Sequence, residues 1–142
     1  MLQKTQEVMF ISFLIIVIHY FADFIMQDEK WASNKSKSNL ALLSHVTTYS
    51  LIWLVMSFVL FAHVVPGKSN YVLPALLFTG VTFVTHFCTD WITSRITSKM
   101  FAEGKYGSSL PNWGAFSVIG LDQVLHYAQL FLAFDIICKN LI

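Results

Sequence analysis

The chain has 142 residues, of which 56% are hydrophobic and only 12% are charged. Soluble domains have about a quarter of their residues charged, so this composition predicts an integral membrane protein. The length suits one domain, and a net charge of +1 without a basic cluster argues against nucleic acid as a partner. The two cysteines, Cys88 and Cys138, have neither a metal-binding nor a disulfide-type spacing.

Four apolar stretches reach the roughly 20 residues that a helix needs to cross a bilayer. We place these helices at residues 8–26, 40–65, 71–92 and 113–138. The polar segments QDEKWASNKSKSN, PGKSN and SKMFAEGKYGSSLPN separate them. The sequence therefore predicts an all-α fold: a polytopic, up-and-down bundle of four transmembrane helices that forms a single domain over residues 1–142. The third helix can continue to Met100 as a partly exposed helix.

The distribution of lysine and arginine predicts the orientation of the bundle. Six of these nine residues lie in the first loop or at the end of the third span and beyond it, and three lie on the opposite side. Because cytoplasmic loops are enriched in positive charge, we expect the first and third loops in the cytoplasm. Both termini would then be extracytoplasmic.

Histidine and aspartate recur within the predicted spans at one spacing. The pairs are His19 with Asp23 in the first span, His86 with Asp90 in the third, and Asp122 with His126 in the fourth; His45 lies in the second span without a partner. Residues four apart lie on one face of a helix, about 6 Å apart along its axis. Since ionisable side chains in a bilayer normally face the bundle interior and carry function, we expect all seven to converge.

The order within the pairs carries further information. Histidine precedes aspartate in the first and third spans, and aspartate precedes histidine in the fourth, which runs in the opposite direction. In an up-and-down bundle this reversal places every aspartate toward the cytoplasmic side and every histidine one turn deeper. Such layering is not expected of unrelated polar residues.

Four imidazoles and three carboxylates without a thiolate suit a divalent metal ion, zinc first, with manganese or iron as alternatives. The predicted ligands are His19, Asp23, His45, His86, Asp90, Asp122 and His126. If all seven bind, a dinuclear centre results; if the aspartates instead orient the imidazoles, one ion is held by three or four histidines. The aspartates Asp23, Asp90 and Asp122 are also the candidate catalytic groups, one of them as a general base. A proton relay or a purely structural polar network is the alternative interpretation.

A second group of polar residues lies near the same cytoplasmic mouth. Gln27 and Gln123 flank the aspartates, and Asn34, Lys35 and Arg95 supply amide and cationic groups. If the substrate has a phosphate head group, these five residues are the candidates to bind it. His63, in contrast, lies at the outward end of the second span without a carboxylate partner and is interpreted as an interfacial residue.

The motifs resemble those of a known family. The run HYFADFIMQ contains His19, Asp23, Phe24 and Gln27 in an H-x-x-x-D-F-x-x-Q arrangement, and NKSK, LLSH, HFCTD and DQVLH follow. These motifs together resemble a family of small bacterial and phage membrane proteins that is carried as a domain of unknown function, over nearly the whole chain. The resemblance implies a multi-pass protein of the bacterial inner membrane. More distantly, the chain is similar to membrane-bound metal-dependent hydrolases.

These observations lead to two functional hypotheses. The first is a membrane-embedded, metal-dependent hydrolase that acts on a lipid or an amphiphilic ester or phosphoester. The second is an ion or proton transporter, or an oligomeric channel-like effector, which uses the same cluster. The predicted partners are membrane lipid and further copies of the chain, because four helices leave little else with which to build a pore.

Overall fold

The structure is a computed structural model that describes residues 2–64, 70–104 and 113–141. Its helices are α1 (Leu2–Tyr20), which continues through a π-helical turn (Phe21–Ile25), α2 (Glu29–Asn34), α3 (Asn39–Val64), α4 (Val72–Ala102) and α5 (Trp113–Leu141). Within the described residues there is no strand. The prediction of an all-α bundle of four membrane-spanning helices is confirmed.

Four segments are long and apolar enough to cross a membrane, namely Thr5–Ile25, Asn39–Val64, Val72–Ala102 and Ser117–Leu141. Each is consistent with a single span at about 1.5 Å of rise per residue. The chain is therefore a multi-pass membrane protein. Many of its large apolar side chains are exposed, as expected where hydrocarbon and not water surrounds the bundle.

The core lies between α3 and α4 and is completed by α1 and α5. Trp53 and Phe61 from α3 pack edge-on against Phe78 from α4. Ile15 from α1 and Leu130 from α5 are buried in the same cluster. This apolar core fills the half of the bundle remote from α2, and the buried histidine and aspartate side chains lie in the half near α2.

Helix α4 is longer than the predicted span of residues 71–92. No proline follows Pro74 in α4 and no glycine follows Gly80 until the helix has ended. The added turns end at Gly104, whose positive φ of 68° is a left-handed conformation that glycine adopts without strain. The backbone N–H of Gly104 donates to the Phe101 carbonyl at 3.1 Å. The ten additional residues, nearly three helical turns, extend one wall of the site beyond the apolar span.

Two local features were not predicted. The short helix α2 begins where the Asp28 side chain accepts a hydrogen bond from the Lys30 backbone N–H at 2.8 Å, a favourable N-cap. The π-helical turn is closed by the bond from the Met26 N–H to the Phe21 carbonyl at 3.0 Å. Single π-helical turns often occur at functional sites, and this one carries the buried Asp23.

Candidate metal centre

All seven predicted histidine and aspartate ligands converge inside the bundle near α2. The four histidines and Asp90 are at most 1% exposed, Asp23 is 5% exposed, and Asp122 is half-buried. They come from all four long helical segments, so the cluster can form only when the bundle is assembled.

The tightest group is formed by Asp23, His45 and His86. Asp23 Oδ1 lies 3.2 Å from His45 Nε2 and 3.5 Å from His86 Nε2, and the two imidazole nitrogens are 3.3 Å apart. Ligands at 2.0–2.1 Å in a tetrahedron around zinc are about 3.3–3.4 Å from one another. The three atoms therefore have the spacing of one face of a tetrahedral metal site.

Asp90 joins this face to His126. Its Oδ2 lies 3.3 Å from His45 Nε2 and 3.7 Å from His86 Nε2, and its Oδ1 lies 3.6 Å from His126 Nε2. One carboxylate thus faces two groups of imidazoles, with one oxygen toward each. Asp90 is positioned either as the fourth ligand of one ion or as a bridge between two ions.

His126 is oriented by its own helix. Its Nδ1 lies 2.9 Å from the backbone carbonyl oxygen of Asp122, to which a protonated Nδ1 donates. This bond fixes the tautomer and leaves Nε2 as a lone-pair donor directed into the cluster. Such a bond from the remote ring nitrogen is the usual support of a metal-binding histidine.

His19 is in a different situation from the other three histidines. Its Nδ1 lies 2.9 Å from the Tyr49 hydroxyl, and its Nε2 lies 2.9 Å from Gln123 Oε1. Because both ring nitrogens are already hydrogen-bonded, His19 can bind a metal only after its partners move. With Asp23 and His126 it also forms a group whose ligand atoms lie within 4.8 Å of one another, so its role as a ligand stays a prediction.

Several buried polar atoms of the cluster have no hydrogen-bond partner among the described residues. They are Asp23 Oδ1, Asp90 Oδ1, His126 Nε2 and the Nδ1 atoms of His45 and His86. More than nine in ten buried polar groups in proteins have a partner, and each orphan costs about 1–3 kcal/mol. Asp23 Oδ1 lies 3.2 Å from His45 Nε2, and Asp90 Oδ1 lies 3.6 Å from His126 Nε2. In each group of three potential ligands that these residues form, the ligand atoms lie within 4.8 Å of one another. A cation among them would satisfy them together.

The balance of positive and negative side chains in the cluster also favours a bound cation. One ammonium group, that of Lys35, contacts the cluster at 2.7 Å from Asp90 Oδ2, and it faces three carboxylates. Although burial disfavours its charged form, the negative charges of Asp90 and Asp23 outweigh burial and raise the pKa of Lys35. With neutral imidazoles and ionised aspartates, two negative charges remain uncompensated within the described residues, which equals the charge of one divalent ion.

A cavity of about 470 Å³ adjoins the cluster beside α2. Asp23, Asp122 and Gln123 form its inner wall, and Lys35 and Gln27 contribute to it as well. Neither Asp90 nor any of the four clustered histidines lines it, so Asp23 and Asp122 are the carboxylates on the cavity side. Gln123 Nε2 donates to Asp23 Oδ2 and to Asp122 Oδ2, both at 3.2 Å, and so spaces the two carboxylates.

Two predicted substrate-binding residues are elsewhere. The Arg95 guanidinium donates to the Trp91 carbonyl at 3.0 Å and to Asn39 Oδ1 at 2.6 Å, and it stacks over the Trp91 ring. The Asn34 amide donates to the Lys30 carbonyl at 2.8 Å. Neither Arg95 nor Asn34 lines the cavity. Arg95 is held by the Trp91 carbonyl one turn earlier and by Asn39 of α3, and Asn34 is held by the Lys30 carbonyl one turn earlier.

Tyr49 is a site residue that the sequence analysis missed. Its ring stacks on His86 with centroids 3.8 Å apart, and its hydroxyl contacts His19. It lies four residues after His45 and therefore on the same face of α3. That spacing was the available signal for its participation.

The profile of a family described as "Protein of unknown function (DUF3307)" matches residues 9–141. The match covers nearly the whole chain, and the chain belongs to this family. No curated protein and no solved structure matches it.

Replacing Tyr49 with phenylalanine tests the support of His19. Tyr49→Phe removes the hydroxyl and leaves His19 Nδ1 buried without a partner, so we expect the free energy of unfolding to fall by about 1–3 kcal/mol. Denaturant unfolding in detergent micelles measures the change. Tyr20→Phe, on the exposed surface of α1, is the matched control and should change stability little. An equal effect of both variants would contradict the role of the Tyr49 hydroxyl.

Proposed function

We propose that this member of the DUF3307 family is a membrane-embedded, metal-dependent hydrolase that cleaves an ester or phosphoester bond of a lipid or amphiphile. The observation that carries the proposal is the triangle of Asp23 Oδ1, His45 Nε2 and His86 Nε2, whose edges of 3.2, 3.3 and 3.5 Å match a tetrahedral metal site. The adjoining cavity gives a substrate access to the carboxylates of this centre.

The proposed ligands are Asp23, His45 and His86, with Asp90 and His126 completing the coordination of one ion or of two. Zinc is the first choice for this nitrogen and oxygen donor set, and manganese or iron would be accepted by the same donors. A divalent ion held there would lower the pKa of a coordinated water and polarise the ester bond.

The chain's own residues supply proton transfer and positioning. Asp122 is half-buried and lines the cavity, and its Oδ1 has no hydrogen-bond partner among the described residues. It is therefore placed to take a proton from the attacking water as a general base. The water oxygen bonds to the phosphorus or acyl carbon, the bond to the leaving alcohol breaks, and the proton returns to the departing alkoxide. Gln123 holds Asp122 and Asp23 in this arrangement.

Ion or proton transport by the same cluster is the rival function. A layer of buried groups beyond the histidines supports it, because Ser50 Oγ, Thr82 Oγ1 and Trp53 Nε1 have no partners among the described residues. The aromatic core of Trp53, Phe61 and Phe78 then closes the bundle. Because this core closes one end of the bundle, the arrangement favours a hydrolase, whose site needs a single opening, over a transporter, which needs a path across the membrane.

We further propose that the protein lies in the bacterial inner membrane, with α2 in the cytoplasm and both termini outside. The orientation follows from the six-to-three distribution of lysine and arginine between the two sides. Single cysteines at Lys30 or Lys139, in a chain without Cys88 and Cys138, test it with a membrane-impermeant maleimide on intact spheroplasts. We expect the Lys139→Cys variant to react and the Lys30→Cys variant to react only after lysis. The opposite pattern would invert the topology.

Metal content is the direct test of the centre. We expect the detergent-purified protein to contain one or two equivalents of a transition metal by elemental mass spectrometry. His86→Ala removes a proposed ligand, and we expect its metal affinity to fall by more than roughly tenfold. His63→Ala, at the exposed outer end of α3, is the matched control and should retain the metal. A folded wild-type protein that binds no metal after reconstitution would reject the metal centre.

Asp122→Asn tests the general base. We expect kcat to fall by roughly 10²–10⁴-fold because proton transfer is lost, while the metal content is unchanged. The assay follows head-group release from mixed phospholipid vesicles by mass spectrometry. Asp135→Asn, which alters an exposed carboxylate paired with Lys139, is the control. Loss of metal in Asp122→Asn would make Asp122 a ligand, whereas proton flux across proteoliposomes without hydrolysis would favour the rival.

A further inference from the structure

The cavity beside α2 has one wall rich in hydroxyl groups. This wall is formed by Thr93, Ser94, Thr97 and Ser98 of α4 and by Ser33 and Ser36 of the α2 segment. The four residues of α4 follow the spacing i, i+1, i+4 and i+5, which places them on one face of the helix. The wall belongs to the part of α4 that continues beyond the predicted span. Nothing in the metal centre itself requires these hydroxyls.

Hydrogen bonding within the protein does not use this wall fully. Ser94 Oγ is buried and has no hydrogen-bond partner among the described residues. Thr93 Oγ1, in contrast, donates to the Thr89 carbonyl at 2.9 Å and keeps its lone pairs available. A hydroxyl both donates and accepts hydrogen bonds. The wall therefore complements a ligand that also offers hydroxyls.

The rim of the cavity has the opposite character. Phe24 from the π-helical turn and Ile119 from α5 line the cavity, and each is about two-fifths exposed, at 39% and 43%. Each lies within two residues of the end of a membrane-spanning segment, where the apolar span begins. A ligand that occupies the cavity can therefore extend an apolar chain past this rim into the lipid.

The third feature is the placement of charge. Lys35 lines the cavity, and its Nζ donates to Asp90 Oδ2 at 2.7 Å, so an ammonium group lies between the cavity and the cluster. A phosphodiester carries one negative charge and accepts hydrogen bonds from an ammonium group. The volume of about 470 Å³ is within the roughly 300–1,000 Å³ of small-molecule sites.

From these features we propose that the cavity binds a phosphodiester lipid whose head group carries hydroxyls, such as a glycerol or a sugar. The head group lies on the hydroxyl wall of α4, the phosphodiester lies between Lys35 and Asp122, and the acyl chains leave past Phe24 and Ile119. This assignment of the substrate class rests on the proposed hydrolase function, but binding of the lipid can be measured without turnover.

The test compares two lipids with identical acyl chains and charge. Phosphatidylglycerol has two hydroxyls on its head group, and phosphatidylpropanol has none. Full-length, zinc-reconstituted protein in detergent is titrated with each lipid, and binding is followed by native mass spectrometry. Since one hydrogen bond is worth about fivefold in affinity, we expect phosphatidylglycerol to bind at least fivefold more tightly.

Two variants test whether the hydroxyl wall of α4 causes the preference for phosphatidylglycerol. Thr97→Val with Ser98→Ala removes two hydroxyls of the wall, and we expect the preference to fall toward onefold with the affinity for phosphatidylpropanol unchanged. Thr85 lies on the same helix outside the cavity, so Thr85→Val should leave the preference for phosphatidylglycerol intact. A soluble glycerophosphoglycerol arm tests the lipid requirement, and we expect it to bind much more weakly.

The outcomes separate this inference from the proposed function. Hydrolysis of both lipids at equal rates and with equal affinities would overturn the hydroxylated head group and leave the hydrolase intact. Selective binding of phosphatidylglycerol without hydrolysis would support the binding site and reject the hydrolase. Equal binding of the soluble analogue would overturn the lipid assignment.

Discussion

The burial of Asp90 inside a membrane-spanning helix is the constraint on which the rest of the site depends. A carboxylate in a bilayer costs at least about 2.5–3.5 kcal/mol unless it is compensated. Asp90 is 1% exposed, and it contacts Lys35, His45 and His126, which come from three different segments of the chain. The need to compensate this one side chain therefore joins α3, α4, α5 and the loop that follows α2. Removing a partner would leave a buried charge, which typically costs 3–5 kcal/mol.

The same constraint gives a reason for the irregular backbone near α2. The π-helical turn of residues 21–25 rotates the Asp23 side chain relative to its position on an uninterrupted α-helix. In the rotated position, Asp23 Oδ1 lies 3.2 Å from His45 Nε2. The Asp28 cap then starts α2, and the end of this helix brings Lys35 back over the bundle. A short helix outside the apolar span is thus part of the electrostatic balance inside it.

The sequence was sufficient to predict the features that follow from periodicity and hydropathy. Length and composition predicted four spans, and the i, i+4 pairs identified the side chains that converge. Features that depend on three-dimensional contacts were not predictable. The Nε2 atom of His19, for example, is hydrogen-bonded to Gln123, which lies 104 residues away in sequence. Arg95 is withdrawn from the cavity by Asn39 on another helix, and no local pattern encodes that contact. Of the ten residues by which α4 outlasts its predicted span, six are polar, so hydropathy did not include them, and their continuation as a partly exposed helix was predicted only as far as Met100.

The depth of each residue type determines what the cluster can do chemically. The histidines lie away from the cavity, where their nitrogens can bind a metal while the surrounding protein excludes water, and Asp23 and Asp122 lie between them and the cavity. A substrate that enters beside α2 meets the carboxylates first. In the opposite direction, the aromatic contacts of Trp53, Phe61 and Phe78 close the bundle. The cavity therefore lies on the α2 side of the cluster, the one opening that the proposed hydrolase would use for both substrate and product.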